Sequence, residues 1–418
     1  MSKINDLIKK LCPCGVEYTT IENIIKSYSS GLNPRQNFKL NEEEAKLYYV
    51  TVKEMTTGKI VFSDKTDRIT KEAWYKIQNR SKLETNDVLL SGIGTIGKVA
   101  LVDIPVDNWN CSESVILLKP KTNIIVPKYL VHLLRSNNVQ EQWNNNSVGS
   151  TLKGLRKENV LKTKIALPPL VVQEEIVRIL DKFGDLEAEL EAELEARKSQ
   201  YEFWRGDLFK QDIDKMVALE NIGDVTKLAG FEFSEYVNYS DEGNIIALRG
   251  LNVKNGHLIL NDVKYVDNSD FSKLNRSKLY ENDILYTYVG TVGQVGLVDK
   301  NDKYYLAPNV ARIRILDKKV NPKYVMHFLL TNEFKTNQLD PLSGTSSMKN
   351  ITMTNIRKFK IPVPSLDKQN RIVDILDKFD SLVNDISVGL PAEIELRRKQ
   401  YEYYRNKLLS FEELSVSE

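Results

Sequence analysis

The chain has 418 residues, of which 41% are hydrophobic and 28% are charged, and its 59 Lys and Arg nearly balance its 57 Asp and Glu. This composition excludes a disordered or fibrous chain, and the length predicts two or three domains with cores of their own. The longest apolar run, residues 165–172, falls far short of the roughly 20 residues that span a bilayer, so we predict no membrane segment.

The cysteine content and the N-terminal sequence predict a cytoplasmic location. Three cysteines are too few for a disulfide framework. Cys12 and Cys14 have no second pair with which to build a structural zinc site, so we predict no metal site. The first 15 residues show neither the long apolar stretch nor the small-residue cleavage site of a signal peptide.

The chain is an internal duplication. Residues 83–103 and 279–299 are identical at 11 of 21 positions, and residues 165–183 and 361–379 are identical at 11 of 19, both at an offset of 196. This period is too long for a solenoid repeat. We therefore predict two copies of a whole domain plus a helix, related by an internal pseudo-two-fold axis as the two chains of a homodimer would be.

In each copy, short apolar runs separated by Gly, Asn and Asp turns predict strands, and they are followed by a helix at residues 128–135 or 323–330. Each copy is thus predicted to contain an α+β globular domain. Beyond it, apolar positions recur in steps of three and four over residues 176–208 and 372–408, the pattern of a coiled-coil helix. Pro391 should kink or break the second of these helices. We expect the two long helices to run antiparallel and to separate the two globular domains.

The charge distribution is compatible with DNA binding by the globular domains. Residues 1–170 carry 25 basic and 17 acidic groups, whereas residues 171–210 carry 6 and 11. Positive charge on the domains would suit contact with phosphates, although the same excess is equally an ordinary protein surface.

A glycine-rich motif occurs in each copy. Residues 92–98 (GIGTIGK) match both GxGxxG and GxxxxGK, which are patterns of dinucleotide and nucleoside-triphosphate sites. The second copy (YVGTVGQ, 288–294) lacks the first glycine and the lysine, and Val99 stands where a Walker motif needs Ser or Thr. We therefore predict a tight glycine hairpin without a cofactor. The side chains of the two hairpins that could approach a DNA backbone are Thr95, Lys98, Thr291 and Gln294.

Other DNA-binding candidates lie in loops. Residues 147–153 (SVGSTLK) and 343–349 (SGTSSMK) could donate hydrogen bonds to phosphate, or could simply form a turn and a helix N-cap. Their candidate residues are Ser150, Thr151, Lys153, Thr345, Ser346 and Lys349. Arg, Lys, Asn and Gln side chains elsewhere could contact base edges, although most such residues on any protein are merely solvated. These candidates are Arg35, Gln36, Lys53, Arg68, Arg80, Arg249, Asn252, Lys254 and Asn255.

Residue patterns of catalysis are not repeated in the two copies. His132 and His327 follow the same PKY sequence at 127–129 and 322–324, and we interpret both as structural. Neither copy repeats a Cys–His, Ser–His–Asp or paired-carboxylate arrangement, and the chain contains no HExxH and no N-P-P-aromatic or D-P-P-aromatic tetrapeptide of an amino-methyltransferase. We therefore predict a binding protein that holds no cofactor of its own.

The ordered set of motifs resembles the specificity subunit of type I restriction–modification enzymes. The set comprises LCPCGVEYTTIENI at 11–24, the two glycine hairpins, and the helix starts LPPLVVQEEIVRILDKF at 167–183 and VPSLDKQNRIVDILDKF at 363–379. It also includes the helix ends QYEFWRGDLF at 200–209 and QYEYYRNKLL at 400–409. The resemblance covers nearly the whole chain.

The resemblance implies a non-catalytic subunit in bacterial defence that binds double-stranded DNA. An N-terminal segment (1–15) would precede target recognition domains at 16–164 and 211–360, each reading one half of an asymmetric, bipartite target. The helical regions 165–210 and 361–418, with helices expected at 170–210 and 366–411, would set the spacing of the half-sites. They would also dock two methyltransferase subunits that bind S-adenosylmethionine and methylate adenine. Restriction subunits driven by ATP, with Mg²⁺, would join the complex. The candidate partner-binding residues are Tyr201, Trp204, Tyr401 and Tyr404.

The first long helix contains a possible length ruler, LEAELEAELEA at 186–196. Each four-residue unit adds about 6 Å of helix, or roughly one to two base pairs of DNA. The same run is also simply a good helix former. Two alternatives to a restriction–modification role remain open: a coiled-coil protein adaptor, and a sequence-specific DNA-binding protein acting elsewhere. An enzyme that acts on DNA alone is a third, against which the missing motifs argue.

Overall fold

The structure is a computed structural model that describes residues 2–35, 37–56, 58–145, 154–210, 216–228, 233, 235–342, 350–385 and 387–414. It divides into two compact units. The first unit comprises Met1–Glu189 with Ile394–Glu418, and the second comprises Leu190–Glu393. Each unit therefore combines one globular domain with helical segments from both copies of the sequence repeat.

The first unit is built around a four-stranded antiparallel sheet and a three-stranded mixed sheet. Its strands are β1 (Glu17–Thr20), β2 (Ile25–Ser30), β3 (Leu47–Val50), β4 (Met55–Thr56), β5 (Lys59–Ile60), β6 (Arg68–Ile69), β7 (Val88–Ser91), β8 (Val99–Leu101), β9 (Trp109–Cys111), β10 (Val115–Pro120) and β11 (Lys164–Leu167). The larger sheet has the order β2-β10-β7-β8, and the mixed sheet has the order β6-β3-β9 with β3 parallel to β9. Strand β1 pairs with β11, and β4 forms a hairpin with β5.

The second unit repeats this topology. Its strands are β12 (Met216–Ala218), β13 (Gly223–Lys227), β14 (Ile246–Leu248), β15 (Val253–Lys254), β16 (His257–Leu258), β17 (Lys264–Tyr265), β18 (Ile284–Thr287), β19 (Val295–Leu297), β20 (Tyr304–Leu306), β21 (Val310–Ile315) and β22 (Lys360–Pro362). The sheets have the orders β13-β21-β18-β19 and β17-β14-β20, with β14 parallel to β20. Strand β12 pairs with β22, and β15 with β16. The prediction of two similar α+β domains is confirmed.

The helices follow the same duplication. They are α1 (Ser2–Leu11), α2 (Ile21–Ile24), α3 (Lys71–Ser81), α4 (Pro127–Leu134), α5 (Asn137–Asn145), α6 (Lys157–Leu161), α7 (Leu170–Asp207), α8 (Leu219–Ile222), α9 (Pro322–Leu329), α10 (Asn332–Phe334), α11 (Met353–Arg357), α12 (Leu366–Asn384) and α13 (Leu390–Leu408). Helices α4 and α9 match the predicted helices at 128–135 and 323–330, and each begins at a proline, which is favoured in the first turn of a helix.

The central strand of each larger sheet is buried on both faces. In β7, Val88 and Leu90 pack into one core and Leu89 into another, as the alternation of side chains along a strand requires. In β18, Ile284 and Leu285 divide between two cores in the same way. Each domain therefore has a sheet packed between two apolar layers, and its turns project from that rigid support.

The long helix of the first copy is continuous, whereas that of the second copy is interrupted. Helix α7 has 38 residues, against the expected 170–210. The predicted break near Pro391 is confirmed: within the expected helical region 366–411, α12 ends at Asn384 and α13 begins at Leu390. Pro391 lies in the first turn of α13, where its missing N–H costs no intrahelical hydrogen bond, but it could not lie within a continuous helix without removing one.

Within each unit, α7 contacts a helix of the second copy. In the first unit, Phe183 stacks on Tyr404 with 5.3 Å between ring centroids, and Arg398 Nε donates to Glu187 Oε1 at 2.6 Å. From the first pair to the second, the residue number rises in α7 and falls in α13, so the two helices are antiparallel here. In the second unit, Tyr201 stacks on Phe379 of α12. Across the described ranges, no helix has both the length and the apolar character needed to cross a membrane.

Candidate DNA interface

The two glycine motifs form tight hairpin turns, as predicted. Strands β7 and β8 pair across the first turn, and β18 and β19 across the second. In the first, Lys98 N donates to Ser91 Oγ at 2.8 Å; in the second, Gln294 N donates to Thr287 Oγ1 at 2.9 Å. Gly97 and Gly293 have φ of 83° and 88°, a region that favours glycine. A strand follows each motif, so neither has the helix N-terminus of a nucleotide-binding loop.

The segments that follow the two hydroxyl-rich loops pair with these turns. Leu155 N donates to Gly92 O at 2.9 Å, and Ile351 N donates to Tyr288 O at 2.9 Å. Both loops themselves lie outside the described residues, as does Gln36. The predictions for Gln36, Ser150, Thr151, Lys153, Thr345, Ser346 and Lys349 therefore remain predictions.

Several candidate DNA-contacting side chains are exposed on the two domains. These are Arg35, Lys53, Arg80 and Thr95 in the first unit and Lys254, Asn255 and Thr291 in the second. Asn255 occupies the turn between β15 and β16 with φ of 49°. Exposure leaves these groups accessible to a duplex.

Other candidates are held by contacts within their own domain. Lys98 Nζ donates to Val52 O at 3.0 Å. The Arg68 guanidinium lies 3.7 Å from the centroid of the Tyr48 ring. Arg249 Nη2 bonds Asp262 Oδ1 at 2.7 Å. These contacts fix the three cations in place but leave each partly accessible.

The prediction that Asn252 contacts DNA is wrong. Its side chain is fully buried, and its Nδ2 donates to Ile259 O at 2.8 Å and to Asp262 O at 2.7 Å. Its Oδ1 accepts from Arg249 N. The amide is thus fully used within the domain, where it bonds three backbone groups of the surrounding loop.

A buried glutamine ties each globular domain to the helix that follows it. Gln173 of α7 accepts from Val126 N and donates to Ile124 O and Pro168 O, at 2.8, 3.1 and 2.8 Å. Gln369 of α12 makes the equivalent three bonds, to Asn321 N, Lys319 O and Pro364 O, at 2.8, 2.9 and 2.8 Å. Both side chains have no exposed surface, so each helix starts at a defined angle to its domain.

The repeated Lys and His of the PKYxxH sequence bind a helix aspartate in each unit. Lys128 and His132 contact Asp181 at 2.7 and 3.4 Å. In the second unit, Lys323 and His327 contact Asp377 at 2.7 and 2.9 Å. Burial raises the pKa of each aspartate, but the hydrogen bonds from His and Lys outweigh it and lower the pKa. This geometry gives both histidines a structural role.

The clusters beside these aspartates differ. In the first unit, Tyr401 Oη lies 2.9 Å from His132 Nδ1 and accepts from Arg135 Nη1 at 3.3 Å. In the second, Tyr201 Oη donates to Asp380 Oδ1 at 3.3 Å, and His257 Nε2 contacts Asp380 Oδ2 at 2.7 Å. Burial lowers the pKa of His132, whereas the hydrogen bond with Asp380 raises the pKa of His257.

The prediction that Tyr201 and Tyr401 bind a partner is wrong, because both are buried against their own units. Trp204 remains exposed, and Tyr404 is partly covered by Phe183. Sequence reasoning missed their neighbours Phe203 and Tyr403, which are 61% and 59% exposed. Both follow the repeated Gln-Tyr-Glu sequence, and the recurrence of an aromatic residue directly after it could have identified them as candidates.

Both halves of the chain match one known protein family. The family model described as "Type I restriction modification DNA specificity domain" matches residues 13–196 and 215–396. A putative type I restriction enzyme specificity subunit of Haemophilus influenzae is 34% identical over 267 residues, covering 62% of this chain and 66% of that protein. A type I restriction enzyme specificity subunit of Escherichia coli is 34% identical over 272 residues, covering 60% and 64%. This chain thus spans just under two thirds of the length of these two relatives.

A putative type I specificity subunit of Mycoplasma pneumoniae is 30% identical over 320 residues, covering 72% of this chain and 88% of that protein. Among solved structures, one concerned with assembly and conformational transition of the type I R-M system contains a similar chain, with a TM-score of 0.58 and 17% identity, covering 94% and 97%. The S subunit from M. genitalium has a TM-score of 0.51 and 15% identity, covering 94% and 96%. These structures show a shared fold. With the family model matching both halves, the chain belongs to the family of type I restriction modification DNA specificity domains.

Proposed function

We propose that the chain is the DNA sequence-specificity subunit of a type I restriction–modification complex. The observation that carries this proposal is the duplicated domain, with one topology in both units and a family match to each half. Each domain presents turns and loops from a rigid sheet, and their exposed residues differ between the two units. Two similar but unequal readers would recognise a bipartite target whose two halves differ in sequence.

The helices would hold the two readers in a fixed relation. The glutamine contacts set the angle between each domain and its helix, and the α7–α13 contacts in the first unit are antiparallel. These features support an antiparallel coiled-coil spacer with pseudo-two-fold symmetry. Within this proposal, residues 16–164 and 211–360 are the target recognition domains, and residues 165–210 and 361–418 form the spacer.

The exposed aromatic residues near the helix ends suit a protein partner. Phe203 and Trp204 of α7 and Tyr403 of α13 expose large apolar area on a helix surface, and aromatic residues are enriched at protein interfaces. Two methyltransferase subunits docked there would bring S-adenosylmethionine and the adenine-methylating chemistry, and restriction subunits would bring ATP and Mg²⁺. No cluster of three or more His, Cys, Asp or Glu suited to a metal occurs among the described residues.

Methylation mapping tests the proposal. The chain is expressed with a modification subunit in cells that lack other methylation, and methylated adenines are mapped across the genome. We expect one bipartite motif with two different halves and a fixed gap. Methylation without a motif, or a motif unchanged when this chain is omitted, would contradict the proposal.

The spacer prediction is tested by changing the length of α7. The boundary between the units, Glu189–Leu190, falls inside the LEAE run, so a deletion of residues 190–193 shortens the connection by about 6 Å. We expect the gap to change by roughly one to two base pairs, or methylation to fall if the new rotation does not suit the duplex. The matched control is Ala192→Gln, an exposed position whose substitution keeps the length. An unchanged gap with full activity would refute the ruler.

A coiled-coil adaptor that never touches DNA is the main alternative, and the family match to both halves argues against it. The two are separated by a gel shift of the assembled complex on duplex DNA at low and high salt. Contact with phosphates predicts binding that weakens steeply as salt rises, because bound counterions are released when the protein binds. An adaptor would show no shift at any salt concentration.

A further inference from the structure

The second unit contains a polar cavity behind its glycine turn. The cavity has a volume of about 330 Å³. One wall is the turn itself at Val292, Gly293 and Gln294, and the other is the helical segment that follows α10. This segment, Lys335–Leu339, is a π-helix, a distortion that is rare and frequent at functional sites.

Four hydrogen-bond donors line this cavity without a partner among the described residues. They are the Lys335 ammonium, the amides of Gln294 and Asn332, and the Thr336 hydroxyl. The Gln294 Oε1 atom is buried without a hydrogen bond, so the whole amide is uncommitted and can turn to present its N–H groups. Buried polar groups in folded proteins are normally satisfied, so the unsatisfied Gln294 amide at the edge of a cavity points to a ligand. The exposed side chains of Asn332 and Thr336 and the partly buried side chain of Lys335 offer further donors beside it.

The charge at the cavity suits an anion. Burial lowers the pKa of Lys335, and the positive charge of Arg205 lowers it further. An anion beside the ammonium would offset both effects. The Glu202 and Asp340 carboxylates act on the pKa of Lys335 in the opposite direction. Of the two, only Asp340 lines the cavity, so the lining contains one acidic group against one cation and three neutral donors.

In the first unit, the Gln140 side chain occupies the space beside the glycine turn. Gln140 stands 13 residues after Pro127, as Lys335 stands 13 residues after Pro322. Its Nε2 donates to Gly97 O at 3.0 Å and to Leu134 O at 2.6 Å, so the amide is committed to the glycine turn. The helix around it, α5, is regular. In the second unit, the Leu339 side chain packs against Gly293 where Gln140 packs against Gly97. The side chain of Lys335, at the position that corresponds to Gln140 by spacing, makes no hydrogen bond or ion pair with the residues described.

We propose that this cavity binds a backbone phosphate of the DNA duplex in the half-site read by the second unit. Lys335 supplies the charge, and Gln294, Asn332 and Thr336 supply neutral donors to the non-bridging oxygens. The volume leaves room for a phosphodiester with ordered water. This inference rests on the proposed function and adds to it an anchor that only one of the two domains possesses.

The test measures binding of the complete modification complex to its target duplex over a range of salt concentrations. Lys335→Gln places in the second unit the residue type of the first. We expect it to weaken binding roughly tenfold and to reduce the slope of log affinity against log salt by about 0.9. Lys335→Arg should retain the slope. The matched control is Lys318→Gln, which removes an exposed lysine of the same unit and should leave both quantities unchanged.

Methylphosphonate substitution identifies the phosphate. Neutral methylphosphonates are placed one at a time along the second half-site. One position should weaken binding by the wild-type complex but not by the Lys335→Gln complex, and Thr336→Val, which removes a donor without changing charge, should show a smaller loss at the same position. If no position discriminates, or if Lys335→Gln matches wild type in slope and affinity, the cavity is not a phosphate site, and an acidic side chain of a protein partner becomes its candidate ligand. The proposed function fails separately, if the wild-type complex shows no preference for a specific duplex.

Discussion

The two units share one backbone topology, but they surround a buried tyrosine with differently charged side chains. Each buries a tyrosine of a long helix: Tyr401 of the first unit lies beside α4, and Tyr201 of the second lies beside α12. The first surrounds its tyrosine with His132 and Arg135, whereas in the second Tyr201 meets an aspartate that pairs with His257. The duplication thus retains the backbone and the contacts that hold helix to domain, while neighbouring side chains have diverged.

The buried glutamines test whether the retained contacts are equivalent. Gln173→Leu and Gln369→Leu each leave one backbone N–H and two carbonyls without their partner. We expect each variant to destabilise its own unit by roughly 3 kcal/mol, because unsatisfied buried groups retain their desolvation cost. Hydrogen exchange of peptides from each unit gives the local stability. Losses that differ several-fold between the two variants would break the equivalence.

The tyrosines test whether the neighbouring contacts have diverged. Tyr401→Phe removes the hydroxyl that contacts His132 Nδ1 and accepts one hydrogen bond from Arg135. Tyr201→Phe leaves Asp380 paired with His257 and with Asn384. We expect Tyr401→Phe to cost about 1–2 kcal/mol and Tyr201→Phe less than half of that. Urea unfolding followed by exchange in each unit measures the two costs. Equal costs would show that the divergence has no energetic consequence.

The histidines predict opposite responses to pH. The folded pKa of His257 is raised above 6.5, so its contact with Asp380 contributes fully below pH 6.5 and is lost as pH rises through the folded pKa. The folded pKa of His132 is lowered, so the first unit loses stability as pH falls below 6.5. Lowering the pH from about 7.5 to about 5.5 should therefore raise the protection of the β15–β16 hairpin against exchange and reduce that of α4, once each rate is corrected for the intrinsic pH dependence of amide exchange.

The matched variant for this test is His257→Asn. It should abolish the acid protection of the hairpin and leave the response of α4 unchanged. Protection of both regions by acid, or a hairpin response that survives the substitution, would contradict the assignment. This is the smallest of the three effects, because the His257 side chain is half exposed and its ion pair is screened by solvent.

The features that sequence predicted are those determined locally. The glycine turns followed from comparing the two copies, since the second copy lacks the residues that a nucleotide site needs but keeps Gly290 and Gly293, which the turn requires. The break at Pro391 followed from the chemistry of proline alone. The helices at 128–135 and 323–330 followed from repeated apolar patterns, and all of these were found in the structure.

The features that sequence missed depend on tertiary contacts. The sequence shows only that residue 252 is an asparagine, which could contact a base or bond the backbone of its own loop. Its burial in the structure distinguishes these two roles. Tyr201 and Tyr401 lie at helical positions whose apolar neighbours come from distant parts of the chain. Each compact unit contains helical segments from both sequence repeats, and no local pattern predicts this, because it depends on how the long helices pack. The sequence alone does not distinguish Lys335 from other lysines, because its place beside a cavity and its correspondence to Gln140 depend on the fold.

The proposed function requires each domain to read its own half of the target. The most direct test replaces residues 217–360 with the corresponding domain of a related specificity subunit, keeps α7, α12 and α13 unchanged, and maps adenine methylation across the genome. We expect a new motif in which one half and the gap are retained and only the other half changes. A motif altered in both halves, or unchanged in both, would contradict it.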